Sequence, residues 1–161
     1  MRTFIYLLAI LPSFVFASVP ADWTVMDSFG VEEAYQHKTA PTSIMTVVKK
    51  NDFDDFKLQD FNLETYVKAL PETKSFIHKL VGVSEWKITG VEKKEFLKGT
   101  SRIILVKLKG TYLRKEKDTI EFEEWHHFYD TTFMQLQLIR KKGNTSNDDV
   151  EFFNHLQGKW L

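Results

Sequence analysis

The chain contains no cysteine, so no disulfide can brace it and its domain must be held by packing alone. It has no excess of either charge, with 22 basic residues against 22 acidic ones. That balance argues against a nucleic-acid-binding domain, whose affinity comes mainly from neutralising phosphates. No internal repeat or low-complexity segment interrupts the sequence. Beyond the first few turns there is no apolar run of about 20 residues, which leaves the mature chain without a transmembrane helix. No phosphate loop, nucleophile motif or cofactor fingerprint is present, and no cofactor is expected.

Two features stand out among what is there. Arg2 precedes an apolar run from Phe4 to Leu11 that resumes from Phe14 to Phe16, and Val15-Phe16-Ala17 offers small or compact residues to a signal peptidase. Residues 1–17 therefore read as a secretory signal peptide and residues 18–161 as a single exported domain, periplasmic or secreted. Export without disulfides favours a bacterial envelope. The triplet Asn144-Thr145-Ser146 fits a glycosylation acceptor that matters only in a eukaryotic host. The second feature is fourteen Phe and four Trp in one small chain, enough to build a core and to line a binding surface as well.

Hydrophobic periodicity predicts short strands at 23–26, 34–37 and 43–48. Leu63, Tyr66, Val67 and Leu70 then fall at helical spacing behind a capping Asn62. Pro71 is expected to break or kink that helix, with a second segment through Phe76, Ile77 and Leu80 ending near Gly82. Four strands follow, near 86–97, 102–114, 119–129 and 132–140, as an antiparallel meander. A closing helix carries Val150, Phe153, Leu156 and Trp160 on one stripe. Its acidic start at Asp148, Asp149 and Glu151 and its terminal Lys159 suit the helix dipole. Ser146 and Asp149 have the spacing of a capping box.

The meander can be placed in register from its turns. A four-residue turn at 115–118 sets Lys107 opposite His126 and Lys109 opposite Glu124; a two-residue turn at Asp130-Thr131 sets His126 opposite Gln135 and Glu124 opposite Gln137. One face then carries Ile104, Val106, Leu108, Trp125, His127, Tyr129, Met134, Leu136 and Leu138 as core. The other carries a polar band of Lys107, Lys109, Glu124, His126, Gln135 and Gln137, flanked by Leu105, Phe128 and Phe133 on one side and by Thr111, Phe122 and Ile139 on the other. A slip of one residue would exchange these assignments.

This order of elements resembles the PsbP-like family, which includes the DcrB-like exported bacterial proteins. The resemblance rests on Trp23, the strand Thr42-Ser43-Ile44-Met45-Thr46-Val47-Val48, the helix opening Leu63-Glu64-Thr65-Tyr66-Val67, the meander, and the closing Val150-Glu151-Phe152-Phe153-Asn154-His155-Leu156. It implies an α+β fold, an antiparallel meander in an α/β/α sandwich, and a role in assembly, protein binding or envelope maintenance. With few residues left for additional helices, one sheet face is expected to stay partly open. A cystatin-like or NTF2-like curved sheet is the alternative architecture.

Several local patterns carry less chemistry than they promise. Ser84 and Lys87 have S-x-x-K spacing, but they sit at a strand start with no S-D-N or K-T-G after them. His126 and His127 are strand neighbours that point to opposite faces and cannot chelate one ion, so no metal site is expected. Asp52, Asp54, Asp55 and Asp60 form an acidic loop without the turn glycine and terminal Glu of a calcium loop. Its Phe53, Phe56 and Phe61 either tuck beneath the sheet or form a sticky tip. Lys107, Lys109, Phe122, Glu124, His126, Phe128, Gln135 and Gln137 thus form the candidate binding surface, for a protein partner. The alternatives are an enzyme using Glu124 and His126 as an acid/base pair, and an apolar small-molecule or lipid carrier with ligand held between the sheet and the Leu63 helix.

Overall fold

A computed structural model describes residues 19–27, 31–40, 43–50, 58–80, 83–114, 118–129, 131–143 and 147–160. Residues 1–18, where a signal peptide is expected, the loop residues 51–57, Gly82, the triplet 144–146 and the side chains of Phe76, Ile77, Leu80 and Trp160 lie outside that description. The elements run β1 (Trp23–Val25), β2 (Glu33–His37), β3 (Ile44–Lys50), a 3-10 turn (Leu58–Asp60), α1 (Leu63–Leu80), β4 (Val83–Lys98), β5 (Ser101–Arg114), β6 (Thr119–Tyr129), β7 (Thr132–Lys141) and α2 (Asn147–Trp160). All seven strands join one antiparallel sheet in the order β1-β2-β3-β7-β6-β5-β4. The first hairpins thereby attach to the last strand. β4 and the three-residue β1 are the edges.

Each face has its own apolar core, which is what long alternating strands buried on both sides require. Leu63, Tyr66, Val67 and Leu70 of α1 pack over Ile104, Val106, Leu108, Tyr112, Ile120, Phe122 and Phe128. On the other face, Phe152, Phe153 and Leu156 of α2 cover Trp23, Tyr35, Met45, Val47, Trp125, Leu136 and Leu138. Phe152 meets the rings of Trp23 and Tyr35 at 5.3 and 5.0 Å between centroids, and Phe153 meets Trp125 at 5.1 Å. The expected stripe of α2 is corrected at its start: Val150 is exposed, and Asp149, Phe152, Phe153 and Leu156 are the buried positions. They fall at i, i+3, i+4 and i+7, so the helix is turned from the expected setting.

Pro71 does not end α1, which is continuous from Leu63 to Leu80. The proline is exposed, and Leu70 before it and Lys74 after it are both held against the sheet, so packing sustains the helix across the hydrogen bond the proline cannot make. Asn62 caps the helix as expected, with its Oδ1 accepting from the Thr65 amide at 2.9 Å. Phe61 tucks against Tyr66 and Phe128, with centroids 5.5 and 5.2 Å away.

The β6–β7 register is the expected one, with His126 opposite Gln135 and Glu124 opposite Gln137. The β5–β6 register is not. Leu113 pairs with Thr119, and Val106 and Leu108 face His126 and Glu124, while Lys107 and Lys109 face Trp125 and Glu123. The connection is one residue longer than a 115–118 turn, and that single slip exchanges the two faces of β5. Burial explains the choice. Ile104, Val106 and Leu108 lie fully buried on the α1 face, where Lys107 and Lys109 would otherwise have had to lose their water. On the α2 face those lysines remain at the margin: Lys107 Nζ sits 3.8 Å from the centroid of the Trp125 ring, and Lys109 pairs with Glu123 at 3.3 Å. Leu105 and Thr111 move with them.

Gly110 allows a close approach. A Cβ there would lie 2.1 Å from the Lys87 carbonyl oxygen and 2.5 Å from Phe122 Cζ. The phenyl ring of Phe122 occupies that space between Tyr112 and Trp86, with centroids 4.7 and 5.9 Å away. An aromatic laid over a strand glycine restores the packing the glycine lacks.

Candidate functional site

Alternation along β6 places Glu124 and His126 on the α1 face, the register sets Gln137 opposite Glu124, and Tyr112, opposite Ile120 on the same face, reaches Glu124 with its hydroxyl. α1 contributes Tyr66 and, two turns on, Lys74. Glu124 Oε1 accepts from Gln137 Nε2 at 2.6 Å and from Tyr112 Oη at 3.3 Å. Its Oε2 accepts from His126 Nε2 at 2.9 Å and from the Lys74 ammonium. Tyr66 Oη lies 2.6 Å from His126 Nδ1. The result is a hydrogen-bonded chain from helix to sheet.

Charge within this chain is determined by its neighbours. Burial opposes ionisation of Glu124, but the bond from His126 and the charge of Lys74 outweigh it and hold the carboxyl at about 2. Burial also lowers His126, against the pull of Glu124. A neutral His126 then donates Nε2–H to the carboxylate and accepts at Nδ1 from Tyr66, whose own ionisation is pushed up by burial and by the Glu124 charge. Four donors converge on Glu124, so its carboxylate is fully solvated by protein.

Of the eight candidate residues, Phe122, Glu124, His126, Phe128, Gln135 and Gln137 do share a face. Lys107 and Lys109 do not, because of the β5 slip. Nor is the shared face an open surface. Glu124 and His126 are 0% and 1% exposed, and Phe122 and Phe128 are buried beneath α1. The aromatic rows that an open face had no need for are covered by the protein's own helix. Tyr66, Lys74 and Tyr112 were missed as partners. Lys74 carried a signal, since a lysine four residues after Leu70 continues the apolar stripe of Leu63, Tyr66, Val67 and Leu70.

The Tyr66–His126–Glu124 chain has the connectivity of a proton relay, but aromatic side chains pack against its tyrosine and its histidine. Tyr66 packs edge-on to Phe128 at 5.3 Å, and Phe133 closes on His126 at 5.6 Å. The same aromatics pack between the sheet and α1, where the carrier alternative would hold its ligand. The arrangement fastens α1 to the sheet.

An antiparallel seven-stranded sheet with one helix on each face and a sealed polar latch under the first defines an α+β sandwich. The fold is PsbP-like: among solved structures the chain resembles cyanobacterial PsbP from Synechocystis sp. PCC 6803, with a TM-score of 0.53 at 14% identity over 86% of this chain and 78% of that one. A protein of unknown function from Pseudomonas aeruginosa aligns with a TM-score of 0.36 at 10% identity over 89% and 82% of the two chains. No family model and no curated protein matches the sequence.

Proposed function

We propose that the chain is an exported, non-enzymatic binding or assembly protein of the bacterial envelope, acting on a protein partner. Export rests on the leader-like run Phe4 to Leu11 and the compact residues before Ser18. The observation that carries the binding reading is the tip of the β4–β5 hairpin. Leu97 is 72% exposed and Phe96 beside it is also exposed, on a two-residue turn that uses the left-handed φ of 64° at Gly99. Adjacent strand residues point to opposite faces, so the tip offers an apolar side chain on each side. The acid/base alternative is disfavoured by the sealing of Glu124 and His126 under α1.

A photo-crosslinking residue placed at Leu97, with a second at Lys68 on the exposed side of α1 as control, tests this in cells of the source organism. A discrete adduct from position 97 and none from 68 is expected, and Leu97→Asp should weaken partner capture at least tenfold without changing Tm. Equal adducts from both positions, or none from 97, would sink the proposal.

A further inference from the structure

α2 leaves one end of its sheet face uncovered. There a cavity of about 310 Å³ opens, with Ile103, His127 and Met134 buried in its floor and Lys49, Lys98 and Tyr129 exposed around it. The strands that supply them, β3, β7, β6, β5 and β4, lie side by side in the sheet. Among the described residues, those lining this cavity include two lysines and no carboxylate.

His127 is the unusual member. It is 3% exposed, and among the described residues neither ring nitrogen has a hydrogen-bond partner. Its neighbour on the same strand, His126, has both nitrogens engaged. Buried polar atoms are almost always paired, because an unpaired donor forfeits its water without replacing it. A wholly apolar residue such as Phe or Leu would meet the packing requirement in this floor at no such cost.

We propose that this cavity binds a small carboxylate with an apolar body, its acid group held by His127 and a rim lysine and its body laid on Ile103, Met134 and Tyr129. The floor supplies the apolar contact area and Tyr129 a flat aromatic wall. The lysines supply the charge complement. Burial, then the proximity of His126 and Lys107, push His127 down to about 4, so at neutral pH it offers one N–H donor and one lone pair. The volume corresponds to roughly ten waters of liquid, which matches a ligand the size of octanoate. The inference goes beyond the protein-binding reading and does not rest on it, since the hairpin-tip crosslink can succeed or fail independently.

The test follows the His127 ring resonances by NMR at pH 7 while the intact domain is titrated with sodium octanoate, 1-octanol or inorganic phosphate. Octanoate should shift His127 saturably, 1-octanol should bind at least tenfold more weakly, and phosphate should leave His127 unmoved. The double variant Lys49→Met/Lys98→Met, altered only at exposed positions, should lose at least tenfold in octanoate affinity while its binding of 1-octanol is unchanged. Equal binding of octanoate and 1-octanol would reduce the site to an apolar hollow. Phosphate shifting His127 as octanoate does would reduce it to a general anion patch. No saturable shift with octanoate overturns the proposal outright.

Discussion

Glu124 carries a full charge while wholly buried, and its four donors are what make that tolerable. Removing the lysine strands the charge, whereas removing the lysine and the carboxylate together does not. Lys74→Met should therefore cost about 3 to 5 kcal/mol, and adding Glu124→Gln should recover a large part of that loss. Urea denaturation of the wild type, the two single variants and the pair closes the cycle, and strict additivity would contradict the latch. The histidines on the two faces make a second prediction. A histidine whose pKa is lower folded than unfolded binds more protons when unfolded, so stability rises with pH across the interval. For His127 that interval runs from about 6.5 down to about 4, and the loss over it is on the order of 3 kcal/mol. His126 is displaced in the same direction. Unfolding free energies measured from pH 7.5 to pH 4 should fall steadily, and His127→Phe should flatten the slope.

The elements show where periodicity is enough and where it is not. β6 and β7 were legible down to their register, because Asp130-Thr131 is short enough to leave one pairing. The β5–β6 connection, Arg114 to Asp118, has no glycine or asparagine to specify a turn, so its length had to be assumed and the assumption was short by one. The partnership of Glu124 and His126 followed from strand alternation, yet their burial did not, because it depends on where α1 lies. Val150 was mistaken for a buried position because α2 has two overlapping apolar spacings, and the contacts of Phe152 with Trp23 and Tyr35 select between them. The stability contribution of α2 is the prediction at this scale. Phe153→Ala should cost about 3 to 5 kcal/mol, and deletion from Val150 onward should abolish the cooperative thermal transition. A truncated chain that still melts near the full-length Tm would show that α2 is peripheral.

At the scale of the whole molecule, the sheet joins its two halves by one ladder. β3 pairs with β7 along its length, from Ile44 opposite Ile139 to Lys50 opposite Phe133, while β4 to β7 form a meander of sequence neighbours. The N-terminal strands are the first to be synthesised, and the first to emerge if the chain is threaded across a membrane. Their partner strand comes near the end, so β1 to β3 can pair with one another but the β7-facing edge of β3 must wait while roughly ninety residues follow it, a long loop to close before its contacts count. The meander can form from local pairings in the meantime. During that wait the outer edge of β3 is a bare strand seeking hydrogen bonds, and the interval between emergence and closure is when this chain is most exposed to mispairing or to capture by a chaperone.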